Sequence, residues 1–240
     1  MRSIRNLLFG CALILGSVSV SAQCNMLLLG AGKCSSASLG PVAFDAATAG
    51  AEVNSTTQTT SHTTGSGAKR FLVAAVGYLN GSGQTVTGVT YNGVALTSTT
   101  AQSDGLGRAI QLWYLAAPAS GANNLVVTMS ATTDVNTGIV TYTGVDQSVP
   151  ISGHTCATAD TAPVTLTVTS AAGDLVFSAI TQAAGAIGAV GAGQTERFRD
   201  SDANVSLAGS EEAGAASVTM TWAGTAGFVW NHCGFSIEAG

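Results

Sequence analysis

The feature that most constrains the fold of this chain is a strand-like pattern that recurs roughly every 8 to 15 residues. Residues 164–169 alternate valine or leucine with threonine, and residues 218–222 alternate apolar residues with threonine. Since successive side chains of a strand point to opposite faces, each segment has one apolar face and one threonine face. The pattern predicts an all-β fold of the kind that sandwiches and barrels have, and we expect a β-sandwich.

Two segments differ from this alternation because they are apolar on both faces. Residues 71–76 and 175–180 are therefore predicted to be central strands covered on both sides, or strands at an assembly surface. The sharpest turn signal is Asn92-Gly93, since this pair readily supplies the two positive φ angles of a type I′ hairpin turn. We expect strands 85–91 and 94–98 to pair around it.

Four stretches rich in glycine, serine and threonine are predicted to be loops, because these residues relieve backbone strain and satisfy turns locally. They are residues 54–67, 80–84, 99–107 and 183–195. None of them is a linker of the kind that separates domains, and sandwiches of this length commonly form one domain. Residues 41–240 are therefore predicted to be one β-sandwich domain.

A weak internal repeat indicates two similar halves. Residues 127–130 read Val-Thr-Met-Ser and precede Gly138-Ile-Val, while residues 218–221 read Val-Thr-Met-Thr and precede Gly227-Phe-Val. The segments 70–73 and 174–177 each open an apolar strand as well. These parallels predict two pseudo-repeated halves that complete each other, and the alternative is convergent strand composition.

The amino-terminal segment has the layout of a signal peptide. A short cationic start with Arg2 and Arg5 precedes the apolar residues 7–20, and small residues stand at 20–22. We expect cleavage after Ala22, a secreted or cell-surface location, and no membrane span after leader removal, since the run is short for a spanning helix. The alternative is that residues 7–20 are retained as a buried or partner-facing helix.

Removal of residues 1–22 leaves an even number of cysteines in an oxidising compartment, whose pairing the sequence leaves open. We favour Cys24 with Cys34, which closes a small loop, and Cys156 with Cys233, which joins the middle of the chain to its last strand. Residues 23–40 are thus predicted to be a disulfide-closed amino-terminal loop or strand.

The segment between the first two of these cysteines has an apolar centre, formed by Met26, Leu27, Leu28 and Leu29. An exposed apolar patch of this kind marks a contact surface. One interpretation is an edge strand that packs on the protein's own core. The other is a loop that docks a partner or an assembly.

The charge content excludes one class of function. Charged residues make up 9% of the chain and the net charge is −5, which becomes −7 when Arg2 and Arg5 leave with the leader. Nucleic-acid binding needs clustered cations to replace phosphate counterions, and the six remaining Lys and Arg residues are few and scattered. Since 46% of the residues are apolar, the chain is also expected to fold rather than to be disordered.

Several segments in a fixed order resemble a known family. They are Phe44-Asp45, Ser61-His62-Thr63, Arg70-Phe-Leu-Val, residues 89–97, Leu112-Trp-Tyr-Leu with Pro118, and residues 142–148. From about residue 44 onward the chain resembles the jelly-roll or immunoglobulin-like β-sandwich modules of secreted bacterial surface proteins and phage structural proteins. That resemblance implies an antiparallel two-sheet fold used for display, adhesion or particle assembly, and it implies no catalytic residues.

The sequence has no motif of a serine hydrolase and one candidate set of zinc ligands. The Gly-x-Ser-x-Gly pentapeptide of serine hydrolases does not occur in residues 23–240. His154 and Cys156, together with His232 and Cys233, are ligand types that bind zinc. In an oxidising compartment, however, we expect the two cysteines to form a disulfide and the histidines to be flanking polar residues.

Acidic residues supply the second set of candidates. Asp200 and Asp202 could offer oxygen ligands to calcium, and a solvated acidic loop is the simpler interpretation. Paired carboxylates for glycoside hydrolysis have no sequence signature here, because their separation depends on the tertiary structure.

Aromatic residues supply the third set. Trp113, Tyr114, Trp222, Phe228 and Trp230 are candidates for a platform on which sugar rings stack, and core packing is the alternative. Trp113 and Tyr114 are adjacent, so they point to opposite sides of a strand and one of them is expected to face a loop or solvent.

These observations predict a non-enzymatic extracellular protein with a structural or adhesive role, which forms or decorates a filament, a cell surface or a virion. Its partners are expected to be further copies of itself, another surface protein or a glycan, and no cofactor is expected. A carbohydrate-binding module is the alternative, and a glycan-active enzyme is the third hypothesis. The leader and the paired cysteines favour a bacterial secreted protein over a virion part assembled in the cytoplasm.

Overall fold

The structure is a computed structural model, and it describes residues 40–182, 187–202, 204–225 and 227–240. In this part of the chain there are sixteen strands and no helix, hence no helix that could span a membrane. The predicted leader at residues 1–22, Cys24, Cys34 and the apolar segment 26–29 lie outside the described residues. Their assignments stay predictions.

The first nine strands make up the first half of the domain, in which β2 has 12 residues and β9 has 23. In chain order they are β1 Ala43–Ala49, β2 Val53–Thr64, β3 Phe71–Leu79, β4 Val86–Tyr91, β5 Val94–Ala95, β6 Thr97–Ser98, β7 Gln102–Ser103, β8 Arg108–Ala116 and β9 Gly121–Thr143.

The remaining strands make up the second half. They are β10 Ile151–Ala159, β11 Val164–Val168, β12 Leu175–Gln182, β13 Thr195–Asp200, β14 Ser206–Ala213, β15 Val218–Trp222 and β16 Trp230–Ile237. They form a five-stranded sheet in the order β10-β16-β12-β14-β13 and a two-stranded sheet of β11 and β15. All these pairings are antiparallel.

The long strand β9 passes through two layers of the first half. Its residues 125–129 pair with β4, whereas residues 135–142 pair with β3. On its other edge it pairs first with β2 and then, over residues 138–143, with β1. The first half therefore has an outer sheet, β2-β9-β4-β5, and an inner sheet, β1-β9-β3-β8, with the short β6 and β7 beside β8.

In the described residues, four clusters of buried apolar side chains fill the three spaces between four sheet layers. Leu72 and Val127 belong to the core between the outer and inner sheets of the first half. Phe71 and Phe177 belong to the core between the inner sheets of the two halves. In the second half, Trp222 and its neighbours fill the space between the five-stranded and two-stranded sheets. Because side chains of a strand alternate, β3 and β12 contribute to a core on each face.

The second half repeats the strand order of the first. Its five-stranded inner sheet β10-β16-β12-β14-β13 matches β1-β9-β3-β8-β7, and its outer pair β11-β15 matches β2-β9. The registers match as well. Ala75 of β3 pairs with Gly138, and Ala179 at the same place in β12 pairs with Cys233.

The two halves are related by a pseudo-two-fold axis. β8 of the first half lies against β16 and β12 of the second, and its counterpart β14 lies against β9 and β3 of the first. In the same way β1 lies against β13, and its counterpart β10 lies against β7. Each contact thus occurs twice with the roles exchanged, as in an isologous dimer interface. The equivalent residues Gly77 and Thr181 face each other, since a Cβ on Gly77 would lie 3.2 Å from Thr181 Oγ1.

Several sequence predictions are confirmed. The chain is an antiparallel all-β sandwich protein, and residues 71–76 and 176–180 are buried. Two of the internal parallels fall on equivalent strands, namely β3 with β12 and the Val-Thr-Met segments of β9 and β15. The third does not, because the counterpart of Gly138 is Cys233, whereas Gly227 lies before β16. Asn92 and Gly93 have φ values of 50° and 77° and connect β4 to β5. The hairpin is shorter than predicted, because residues 97–98 pair with β8 instead.

The loop prediction for residues 54–67 is wrong, because most of this segment is β2. The error has a physical reason. β2 alternates as a strand should, but its buried face carries Gln58, His62 and Thr64, so no apolar periodicity marks it. Residues 80–84 lie between strands, as predicted, while residues 99–107 contain the short β7.

Candidate binding surfaces and polar clusters

The outer sheet of the first half presents a row of hydroxyl groups, which we call the first hydroxyl face. On β2 its members are the exposed outward side chains Thr57, Thr59, Ser61 and Thr63. The register places these beside Thr128, Val126, Asn124 and Ala122 of β9. Directly opposite side chains on neighbouring strands lie about 4.5–5.5 Å apart, so the surface is closely spaced, and none of these residues is charged.

The outer sheet of the second half carries an equivalent surface, the second hydroxyl face. It consists of Thr165 and Thr167 on β11 and Thr219 and Thr221 on β15, which pair in register. The Oγ1 atoms of Thr167 and Thr219 are 3.2 Å apart, within hydrogen-bond distance. Because the outer sheets are the two end layers of the stack, the molecule presents one uncharged hydroxyl face at each end.

The buried side of β2 is held by polar contacts. His62 Nδ1 lies 2.9 Å from Thr48 Oγ1, and its Nε2 lies 3.2 Å from Thr141 Oγ1. Burial lowers the pKa of His62, while the Asp45 carboxylate raises it by a smaller amount. A neutral imidazole can donate from one ring nitrogen and accept at the other, so both contacts can be hydrogen bonds. The contacts fasten β2 to β1 and β9.

The predicted disulfide between Cys156 and Cys233 is confirmed, with an S–S distance of 2.01 Å. His154 Nε2 lies 3.6 Å from Cys156 Sγ, and the donor atoms of these three residues all lie within 4.8 Å of one another. With the sulfur atoms bonded to each other, no thiolate is left to bind zinc. His232 lies elsewhere, because it and Cys233 are adjacent in β16 and point to opposite faces of the sheet.

His232 is completely buried in the second half. Neither ring nitrogen has a hydrogen-bond partner among the described residues, and the imidazole makes an edge-to-face contact with Trp230. Burial lowers the pKa of His232 to about 3, because the charged imidazolium would lose its hydration without gaining a partner. Ser178 and Ser210 pair with each other in register, and their buried hydroxyl groups also have no partner in the part of the chain that the structure describes.

Asp200 and Asp202 lie beside the first half, at the end of β13. Asp200 Oδ2 accepts from Asn136 Nδ2 at 3.1 Å, and Asp202 Oδ2 accepts from the backbone N–H of Glu52 at 2.9 Å. Glu52 in turn accepts from Val205 N–H at 2.6 Å. Burial and the neighbouring Asp202 carboxyl raise the pKa of Asp200. These carboxylates already bind donors across the halves, so the geometry gives them a role in joining the two halves.

Two buried asparagines repeat this cross-bridge around the pseudo-two-fold axis. Asn136 Nδ2 donates to Val205 O at 3.0 Å, and the equivalent Asn231 Nδ2 donates to Arg108 O at 3.4 Å. Both asparagines are fully buried. A buried amide that hydrogen-bonds the opposite half fixes how the inner sheets register on each other.

A further polar cluster lies at the same interface. Arg197 forms an ion pair with the buried Glu211, and its guanidinium lies 3.7 Å from the centre of the Phe44 ring. Burial and the Glu211 carboxylate raise the pKa of Tyr142 well above its usual value. The cluster joins β13 and β14 of the second half to β1 and β9 of the first.

The aromatic platform proposed from the sequence does not form. Trp222 and Trp230 are 0% and 4% exposed in the core of the second half, and Trp113 is 8% exposed in the first. Tyr114 is half-buried and packs against the core between the inner sheets. Only Phe228, at 39% exposure, presents much of its ring among these five described residues. The cause is strand alternation, which turns each tryptophan inward.

An open pocket of about 280 Å³ lies between two loops of the first half. It is lined by small and polar residues and one exposed leucine, namely Asn80, Gly81, Ser103, Gly105, Leu106 and Gly107. None of these side chains titrates near neutral pH.

Sequence reasoning missed the first hydroxyl face, because it assigned residues 54–67 to a loop. The available signal was the β-branched content of the segment, since six of residues 53–64 are threonines. No protein-family model, curated protein sequence or solved structure matches the chain.

Proposed function

We propose that this protein is a non-enzymatic extracellular component of a surface, with a structural or adhesive role, and that its two hydroxyl faces are the contacting surfaces. The observation that carries the proposal is their duplication. Thr57, Thr59, Ser61 and Thr63 at one end, and the four threonines of β11 and β15 at the other, are presented by equivalent strands.

The chemistry of these faces supports a neutral, hydrated partner. Both consist of hydroxyl, amide and small side chains without charge, on a protein whose net charge is −5. Hydroxyl groups donate and accept hydrogen bonds and retain bound water, so they suit a polysaccharide or another hydroxyl-bearing surface. A binder with one face at each end can bridge two such surfaces, which is what an adhesive or matrix component requires.

The experiment is co-sedimentation of the mature protein with insoluble cellulose, chitin and bacterial cell-wall particles. We expect the protein to sediment with at least one of these, and to do so almost equally at low and high salt, because uncharged contacts are not screened. The variant Asn124→Lys/Thr128→Lys, which places two charges on the first face, is expected to weaken binding about tenfold or more.

The equivalent variant of the other end, Thr167→Lys/Thr219→Lys, is the matched comparison. A protein that stays in the supernatant with every particle, or whose binding neither pair of lysines changes, contradicts the proposal. Release of soluble sugar from the particles by the purified protein would contradict its non-enzymatic part.

The carbohydrate-binding module stays a prediction. A module that stacks sugars on aromatic rings has Phe228 and the half-buried Tyr114 available among the described candidates, whereas the three tryptophans are covered. Binding through hydroxyl groups and binding through aromatic stacking are separable, because Phe228→Ala affects only the second.

A further inference from the structure

Among the described residues, the outward edge of β2 is a long sheet edge with little protection. Within the described residues β2 pairs only with β9, so the backbone groups along its other edge have no strand partner. Its 12 residues include no Asp, Glu, Lys or Arg, and no proline or glycine. The one titratable side chain among them is His62. Charges, prolines and bulges are the means by which proteins protect such edges.

The two edges of the five-stranded sheet are protected in these ways. β13 carries Glu196, Arg197, Arg199 and Asp200 within six residues. β10 has a bulge between Ser152 and Thr155, after which only residues 155–159 pair regularly. β2 also has a bulge, between Ser55 and Thr57, but residues 57–64 beyond it form a regular ladder with β9.

The equivalent strand of the second half shows that an open edge is not a consequence of the fold. β11 occupies the place of β2, but it has only 5 residues and begins directly after Pro163. A short strand preceded by proline presents little backbone to a partner. The long uncharged edge is therefore a property of the first half alone.

We propose that β2 of one molecule pairs antiparallel with β2 of a second copy, so that the outer sheets of two molecules become one continuous sheet. In a two-fold contact residue i of one copy meets residue j of the other and j meets i, so charges of one sign along the edge would repel each other across the contact. An edge without charge is self-complementary in this respect. The regular residues 57–64 would span about 27 Å at roughly 3.4 Å per residue.

The alternation of side chains along β2 restricts the register in which the two copies can pair. Directly opposed residues of an antiparallel pair lie on the same face, so the outward threonines of both copies line up only when the two-fold axis passes through a residue. With Thr60 on the axis, Thr57 meets Thr63 and Thr59 meets Ser61. The first hydroxyl faces of both copies then form one surface of doubled area.

The strength of the contact follows from its size. Edge pairing of one strand buries less surface than the roughly 1,200 Å² of a standard stable interface, so we expect a reversible dimer with a dissociation constant in the micromolar range. Since β2 supplies one such edge, pairing through it closes at the dimer and does not propagate.

Sedimentation velocity of the mature protein from about 1 µM to about 500 µM tests the proposal. We expect a shift from monomer to dimer, and we expect Thr59→Lys/Ser61→Lys to raise the dissociation constant at least tenfold. The control is Asn124→Lys/Thr128→Lys, which places the same charges on the same face but on β9, one strand away from the edge, and is expected to dimerise like the wild type.

Three outcomes overturn the proposal. They are a wild-type protein that stays monomeric over the whole range, an edge variant that dimerises normally, and a β9 control that loses dimerisation as fully as the edge variant. A thermal melt of each variant confirms that it is folded. The proposed function and this inference fail separately, because the β9 variant is expected to lose surface binding and keep dimerisation.

Discussion

The two halves of the domain have one strand order and different surfaces. In the first half the outer sheet is built on the 12-residue β2 and the 23-residue β9, whereas its counterpart in the second half consists of two strands of 5 residues. The inner sheets are alike and pack on each other. The two halves therefore share the packing of their inner sheets and differ in the surfaces that their outer sheets present.

The halves also differ in what stabilises equivalent positions. Gly138 of the first half receives the ring of Phe198, while its counterpart Cys233 is bound to Cys156. Inside the sandwiches, Trp113 and Ile139 of the first half correspond to Ser210 and Gly234 of the second. At these two positions the second half thus has the smaller side chains, and among the described residues it is the half with a disulfide.

The largest expected effect is the loss of that disulfide. The bridge closes a loop of 77 residues, so its removal in Cys156→Ser/Cys233→Ser is expected to cost about 4 kcal/mol of unfolding free energy in the chain-entropy model. Denaturant unfolding measures the loss. Hydrogen exchange is expected to rise in β10 and β16 before it rises in β3, and a uniform rise would contradict the difference between the halves.

A methyl group at Gly138, the first-half counterpart of Cys233, tests the packing between the halves. A Cβ on Gly138 would overlap the Phe198 ring, so Gly138→Ala is expected to destabilise the protein by about 3 kcal/mol. Gly88→Ala is the control, because nothing lies within 4 Å of a Cβ there, and it is expected to stay within about 0.5 kcal/mol. In the double variant with Phe198→Leu, the cost of Gly138→Ala is expected to fall, as a double-mutant cycle would show.

The buried His232 predicts an acid response specific to the second half. Its folded pKa of about 3 lies below the ordinary 6.5, so the stability present above pH 6.5 is lost as the pH falls towards 3. The loss amounts to about 3 kcal/mol between pH 7 and pH 4. His232→Leu is expected to remove it. Because burial also lowers the pKa of His62, the measurement is the difference between variant and wild type at each pH.

The smallest expected effect is the loss of stability when one of the two buried asparagines, Asn136 or Asn231, no longer bonds the opposite half. Asn136→Ala is expected to cost about 2 kcal/mol and Asn231→Ala about 1 kcal/mol, because Asn136 makes a bond of 3.0 Å and a second one to the Asp200 carboxylate, whereas Asn231 makes one of 3.4 Å. Chemical denaturation of both variants gives the comparison. Equal losses would show that the carboxylate contact contributes nothing.

The sequence was sufficient for the parts of the fold that bury an alternating apolar face. Residues 164–168 and 218–222 alternate with buried and exposed positions as predicted, and they pair with each other. The Val-Thr-Met echo marks equivalent strands, and Asn92-Gly93 forms the predicted turn. In each case the signal lies within a few residues of the chain.

Features that depend on residues far apart in the chain could not be predicted from such local signals. β2 buries Gln58 against the loop that follows β1, and His62 and Thr64 against residues of β1, β4 and β9. Its polar inner face therefore resembles a loop until those partners are known. The aromatic candidates failed for the same reason, since the sequence does not say which face of a strand meets a second sheet. The pseudo-two-fold packing of the inner sheets is likewise a tertiary property.

The most direct test of the account is a cross-link at the pseudo-two-fold axis. Gly77 and Thr181 face each other there, and the 3.2 Å between a Cβ on Gly77 and Thr181 Oγ1 brings two cysteines within the range of a disulfide. In the variant Gly77→Cys/Thr181→Cys, mass spectrometry of unreduced peptides is expected to find positions 77 and 181 joined within one molecule, whereas Gly88→Cys/Thr181→Cys gives no such peptide. A folded Gly77→Cys/Thr181→Cys variant in which these two positions stay unlinked would contradict the face-to-face packing of the two halves.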